Sequence, residues 1–164
     1  MKNFFILFFL IFIIVFSICS DAQYELGAVS TRSGNVIVQY IKEKRDYIKL
    51  VSAKDKSYLK IFLPEDLKAL RAHFDKFEKW HKTAVDNNYT LNKTIGKITT
   101  FRIDFITIDG KYEIGFIEEG TGLRVATFDL KSLQLLKEVI SDKNIDYVIN
   151  EEKRKKEKED ALFQ

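Results

Sequence analysis

Short apolar segments separated by charged links follow one another between residues 36 and 63. They span Val36 to Ile41, Tyr47 to Val51 and Tyr58 to Leu63, and they are rich in β-branched and aromatic residues. This composition and spacing predict three antiparallel strands. The segment from Tyr24 to Ser30, which precedes a Ser33-Gly34 turn, predicts an additional strand before them.

An amphipathic helix of about twenty residues is predicted to begin at Pro64. The missing proline N–H costs nothing at the first helical position, and Glu65 and Asp66 suit the positive end of the helix dipole. One stripe of the helix is apolar and contains Leu67, Leu70, Phe74, Phe77, His81 and Ala84. The stripe predicts packing against a sheet. The helix is predicted to end at Asn87-Asn88.

The second half of the chain repeats this order of elements. Residues 101–105 and 112–116 alternate between apolar and polar residues, and the Asp109-Gly110 pair between them predicts a hairpin turn. The segment from Leu123 to Phe128 predicts a further strand. A second amphipathic helix is then marked by Leu130, Leu133, Leu136 and Ile140.

The recurrence predicts an internal pseudo-repeat of strands followed by a helix. Phe62, Leu67 and Leu70 recur 66 residues later as Phe128, Leu133 and Leu136. We expect one α+β domain over residues 23–150, a two-layer fold with antiparallel sheet or sheets covered by two helices. Its first unit spans 23–86, a polar connection spans 87–96, and the second unit spans 97–150. A chance recurrence is the alternative, because this order of elements is common.

The C-terminal segment 151–164 is a charged extension. Every residue from Glu151 to Asp160 is charged, five basic and five acidic. The run contains no apolar stripe, so it predicts an exposed helix with ion pairs along it or a frayed tail. A tail whose Leu162 and Phe163 dock on a partner is the alternative.

The start of the chain predicts a secretory signal peptide over residues 1–22. Residues 4–18 are apolar apart from Ser17, and Ser20-Asp21-Ala22 fits a cleavage site. A membrane span needs about 20 apolar residues, which argues against a retained anchor. Lipid attachment at Cys19 is a further alternative, although Ile18 is bulkier than bacterial lipoprotein signals prefer. We therefore expect an exported protein, periplasmic or secreted, with no membrane span after cleavage.

Cleavage removes the only cysteine, so the exported domain has no disulfides and depends on packing for its stability. The net charge of +3 on a chain with 31% charged residues does not by itself indicate a polyanion partner. His73 and His81 are the only imidazoles, and eight residues of helix place them about 12 Å apart. We therefore expect no metal site, no cofactor and no histidine-activated nucleophile.

Carboxylates offer the remaining route to catalysis. Glu118 adjoins a glycine turn, and Asp104 and Glu113 are predicted to share one face of the second hairpin. Arg102 and Arg124 are plausible partners for them on that face, and such pairs are common on exposed sheets. A small carboxylate-dependent hydrolase is therefore an alternative to a binding protein, and we expect the chain not to be an enzyme.

The most suggestive surface lies on the first predicted sheet. Strand alternation places Tyr47, Lys49, Tyr58 and Lys60 on its outer face, with Tyr40 as a possible addition. The inward positions are then Ile48, Leu50, Leu59, Ile61 and Leu63. Tyrosines interleaved with lysines suit an anionic or flat ligand, although the same residues are ordinary occupants of a solvated sheet. These five residues are the predicted ligand-binding site.

Two strand-rich units, each closed by a helix, are similar in outline to the repeats of Pur-alpha and Whirly-type single-strand binders. The resemblance lies in the order of elements and implies single-stranded nucleic acid or another polyanion as an alternative ligand. Export argues against nucleic acid. The leading expectation is an exported binding domain for an extracytoplasmic protein, a glycan or an envelope component.

Overall fold

The computed structural model describes residues 22–162, so the predicted signal peptide and Cys19 lie outside the described residues, apart from Ala22. The first four strands form one antiparallel sheet in the order β1-β2-β3-β4. They are β1 (Ala22–Thr31), β2 (Gly34–Lys42), β3 (Tyr47–Ser52) and β4 (Tyr58–Phe62). The three predicted strands and the additional N-terminal strand are confirmed.

A second antiparallel sheet has the order β5-β6-β7-β8 and is separate from the first. Its strands are β5 (Lys93–Ile98), β6 (Phe101–Ile108), β7 (Lys111–Glu118) and β8 (Arg124–Phe128). The helices are α1 (Glu65–Asn87), α2 (Leu130–Val139) and α3 (Asp142–Leu162). The α+β class and the repeated order of strands followed by a helix are confirmed, and each unit has four strands.

The predicted polar connection over 87–96 is too long, because β5 already begins at Lys93. A bulge between Thr94 and Gly96 shifts the register with β6. The bulge places Ile95 and Ile98 on the core side three residues apart, which hides the strand's alternation in the sequence. α1 ends as predicted, since Asn88 adopts a left-handed conformation (φ 53°) that closes the helix.

Each of the two main helices bridges both sheets. α1 of the first unit packs on β5 of the second unit as well as on β4 of its own, and α2 of the second unit packs on β1 of the first unit as well as on β7 and β8 of its own. The His73 imidazole of α1 lies against Gly96, and Val139 of α2 lies 3.5 Å from where a Gly27 β-carbon would be. His73 and Val139 are 66 residues apart, the spacing of the pseudo-repeat. The first strand of each unit, β1 or β5, therefore has a bulge beside a glycine, and a helix of the other unit contacts that glycine.

One apolar core joins the two units. Phe74 of α1 meets Phe116 of β7 edge to face at 6.4 Å, and Phe116 meets Phe128 of β8 at 5.8 Å. All three side chains are fully buried. Truncating such a phenylalanine to alanine costs about 3–5 kcal/mol, so the stability of both units depends on this shared core.

The C-terminal extension is helical, as predicted, and belongs to the longer helix α3. Ile145 near its start is buried against the core, and Asp142 is held by Arg71 of α1 at 2.8 Å. Beyond residue 150 the helix is mostly exposed, with ion pairs such as Arg154–Glu151 along it. No helix within residues 22–162 is long and apolar enough to cross a membrane.

Candidate binding site on the first sheet

The outer face of the β3–β4 hairpin, turned away from the core, carries the candidate site. In the antiparallel register Tyr47 lies opposite Phe62, Lys49 opposite Lys60, and Val51 opposite Tyr58. We call Tyr47, Lys49, Tyr58, Lys60 and Phe62 the Tyr–Lys face. The prediction that these residues share the outer face agrees with this register, since Ile48, Leu50, Leu59 and Ile61 are buried on the opposite face.

The two opposed lysines cross over each other's strand. The Lys49 ammonium lies 4.7 Å from the centre of the Tyr58 ring on β4, and the Lys60 ammonium lies 4.3 Å from that of Tyr47 on β3. Arg45 continues the row, with its guanidinium carbon 4.7 Å from the Phe62 ring. Cation–π contacts of this kind hold positive charge in place over a sheet surface. The two lysines of the Tyr–Lys face and the adjacent Arg45 therefore form a row of three cations on aromatic rings.

The lysine pair has no acidic partner in the described structure. Within residues 22–162 no carboxylate oxygen lies within 4.0 Å of either ammonium, whereas Arg45 pairs with Glu65 at 3.3 Å. Contact with Tyr47 raises the pKa of the Lys60 ammonium, which therefore stays charged at physiological pH. Like charges directly opposite each other in a sheet are destabilising. The charge of Glu43, which accepts from the Tyr47 hydroxyl, also contributes to the raised pKa of Lys60. The pair is thus a positive site without a direct ion-pair partner in the described residues, partly compensated by Glu43.

Tyr40, the possible fifth member of the site, lies on the wrong face. It pairs with Ile48 across β2 and β3, so it points into the core and is 5% exposed. Its hydroxyl donates to Asp46, and burial raises its pKa well above the usual range for tyrosine. The prediction failed because both faces of β2 are largely apolar, so its sequence does not reveal which face is inward.

The two remaining tyrosines differ in exposure. Tyr47 lies on the outer face but is 5% exposed, because Lys60 and Phe62 cover its ring, and its hydroxyl donates to Glu43 at 3.0 Å. Tyr58 is 49% exposed. A ligand on this face would therefore meet the two ammonium groups and Tyr58, with Tyr47 as a support beneath Lys60.

A groove of about 550 Å³ lies beside the Tyr–Lys face, between the two units. One wall is formed by Tyr58, Lys60 and Phe62 of β4 and by the turn before them. The other wall comes from the second unit and contains Thr99, Thr100, Phe101, Glu118, Leu123 and Val125. Sequence reasoning missed this wall, since it forms only when the second sheet packs beside β4.

The carboxylates of the hydrolase alternative are engaged with other side chains. Asp104 accepts hydrogen bonds from Arg102 at 3.0 Å and from Thr94 at 2.9 Å. Glu113 is buried and lies 3.8 Å from Arg32 of the β1–β2 turn, a partner the sequence did not suggest. Arg124 forms no ion pair with either acid in the part of the chain described here.

The carboxylate of Glu118, in the wall of the groove, accepts from the Thr121 hydroxyl at 2.7 Å. The histidines lie apart on α1, with His73 against Gly96 and His81 packed on Phe77 and Tyr112. Residues 22–162 contain no cluster of three or more side chains able to hold a metal ion.

Comparison of the chain with protein-family models, with curated proteins and with solved structures found no match.

Proposed function

We propose that the protein is an exported, non-enzymatic binding domain that holds an anionic extracytoplasmic partner, a protein or a glycan, on its Tyr–Lys face. The observation that carries the proposal is the Lys49–Lys60 pair. The two lysines lie directly opposite each other, an arrangement that disfavours strand pairing, and neither has a carboxylate within ion-pair distance in the described residues. Unfavourable arrangements of this kind are commonly retained for function.

The partner is proposed to be anionic because lysine ammonium groups lie over the faces of both Tyr47 and Tyr58. A ligand on this face would meet these ammonium groups together with the exposed part of Tyr58. An anionic ligand would be attracted by both ammonium groups while each stays over its ring. Export is proposed from the apolar leader, residues 4–18.

The nucleic-acid alternative relies on bases stacking flat on aromatic side chains. Stacking on Tyr47 would require Lys60 to leave the ring it covers. The hydrolase alternative relies on a free acid beside a cleft. Asp104 and Glu113 are each held by an arginine, whereas Glu118 lies in the wall of the groove and accepts from the Thr121 hydroxyl. The engagement of Asp104 and Glu113 favours a binding role over a hydrolase that needs two free acids.

The test is retention of the purified protein on immobilised polygalacturonate and on immobilised polyglutamate, eluted with rising salt. The Lys49→Ser/Lys60→Ser variant is expected to elute at clearly lower salt than the wild type from at least one of the two columns. The matched control is Lys131→Ser/Lys143→Ser, which removes the same charge from exposed helical positions. Equal loss of retention in both variants, or no loss in either, would contradict the proposal.

A further inference from the structure

The free edge of the first sheet lies beside the Tyr–Lys face. β4 is the last strand of its sheet and is paired only with β3. Hydrogen bonds from Ser52 N–H to Ser57 O and from Leu63 N–H to Asp46 O flank this ladder, each at 2.9 Å. Hydrogen-bonded and non-hydrogen-bonded pairs alternate in an antiparallel ladder. The backbone groups of residues 58, 60 and 62 therefore point away from β3, toward the open edge.

One of these edge positions already has a substitute partner. The Phe62 N–H donates to the Asp66 carboxylate of α1 at 3.2 Å, so a carboxylate takes the place of a neighbouring strand's carbonyl. The N–H and C=O groups of Tyr58 and Lys60 have no hydrogen-bond partner among residues 22–162. The groove between the units lies along these residues. Two residues of β4 are therefore available for pairing with an added strand.

We infer that the edge of β4 at Tyr58 and Lys60 pairs with an extended acidic peptide segment of a partner protein, which adds a fifth strand to the first sheet. The inference rests on the proposed binding function and names its partner. A residue directly opposite Lys60 projects onto the Tyr–Lys face, because opposite residues of paired strands share a face. An acidic side chain there lies on the face that carries both ammonium groups, that of Lys49 over Tyr58 of β4 and that of Lys60 over Tyr47 of β3.

A second copy of this chain fits the edge less well than an acidic strand. Pairing two β4 strands would bring Lys49 and Lys60 of both copies onto one continuous face, which doubles the number of lysine charges there. Lysines on an edge strand are a common means of preventing such pairing. An acidic peptide instead neutralises the charge while using the same backbone groups.

The probe is a blocked heptapeptide, acetyl-Thr-Glu-Val-Glu-Val-Glu-Thr-amide, whose binding is measured by calorimetry. Two further versions carry N-methyl groups on the glutamates only or on the valines only. In a paired strand, alternate residues direct their N–H groups toward β4 and the others toward solvent. N-methylation on the β4 side blocks hydrogen bonds and N-methylation on the solvent side does not, so the two versions should differ in affinity by at least about tenfold. Lys60→Glu should weaken the unmodified peptide by about tenfold, whereas Lys143→Glu, a control on exposed α3, should not.

Each other outcome overturns the inference in a distinguishable way. Equal affinity of the two N-methylated peptides would mean that charge alone holds the peptide, and the proposed function would stand. Absence of peptide binding with lysine-dependent retention on polygalacturonate would indicate a glycan partner. A dimer in solution that Tyr58→Pro converts to a folded monomer would show that a second copy occupies the edge. If column retention and peptide binding were both unchanged by the lysine substitutions, the proposed function would be contradicted as well.

Discussion

The His73 imidazole of α1 lies directly against the backbone of Gly96 in β5, the first strand of the other unit. A β-carbon on Gly96 would overlap the ring and would lie 2.6 Å from its Nε2 atom. With the ring in this position only glycine fits, so a larger residue at position 96 would force the His73 side chain or the backbone to move. Val139 and Gly27 make the corresponding contact in the other direction.

Gly96→Ala is expected to reduce the free energy of unfolding by about 1–3 kcal/mol, because the added methyl group overpacks the helix–strand contact. Urea denaturation followed by circular dichroism measures the change. Gly120→Ala is the control, since open space surrounds that position, and it should change stability by less than about 0.5 kcal/mol. If the contact is the cause, adding His73→Ala should restore part of the loss; equal destabilisation by both glycine substitutions would contradict this account.

Reversing one charge of the lysine pair should stabilise the sheet and weaken the proposed binding. Lys49→Glu and Lys49→Gln both remove the contact with Tyr58, but only Lys49→Glu places a negative charge opposite Lys60. Lys49→Glu should therefore be more stable than Lys49→Gln by about 0.2–1 kcal/mol in denaturant unfolding. Retention on the anionic column should fall in both variants and fall further in Lys49→Glu. Equal stability of the two would show that Lys49 and Lys60 do not interact.

The N-cap of α2 predicts a pH dependence of stability. Asp129 accepts hydrogen bonds from the Ser132 N–H at 2.8 Å and from its hydroxyl at 2.6 Å, and these bonds lower the pKa of its carboxyl group. A lowered folded-state pKa gives stability that is present above the unfolded value of about 3.9 and is lost as pH falls through the folded value. Asp129→Ala should cost about 1 kcal/mol at neutral pH.

The charge-dependent part of that effect is isolated by Asp129→Asn, which retains a capping side chain. The stability difference between the wild type and Asp129→Asn should be largest at neutral pH and should shrink as pH falls below the unfolded value of about 3.9. Unfolding curves at several pH values measure it. A difference that does not change with pH would show that the charge of Asp129 plays no part.

Much of the fold could be predicted from local sequence because periodicity and turn residues follow from backbone geometry. β5 could not be predicted, since its bulge breaks the alternation of Ile95 and Ile98. The start of α3 could not be predicted either, since Ile145 is its only buried residue. The packing of each helix on the first strand of the other unit depends on tertiary structure. The only hint of it in the sequence is that His73 and Val139 are separated by 66 residues, the spacing of the pseudo-repeat.

The candidate site was only partly predictable. Lys49, Tyr58 and Lys60 share a face because strand alternation is regular there, but Tyr40 lies on the opposite face of a strand that is apolar on both sides. The contacts of the two lysines with rings on each other's strand can be predicted only when the register of the hairpin is known, and local sequence does not give it. The far wall of the groove can be predicted only when the position of the second sheet is known.

The most direct test of the account is a titration of isotope-labelled protein with acetylated hexaglutamate, followed by NMR of backbone amides and lysine ammonium groups. The account predicts saturable shifts centred on Lys49, Tyr58 and Lys60 that disappear in Lys49→Ser/Lys60→Ser. Saturable shifts centred elsewhere, for example around Trp80 and its neighbouring lysines, or shifts that survive the double substitution, would contradict it.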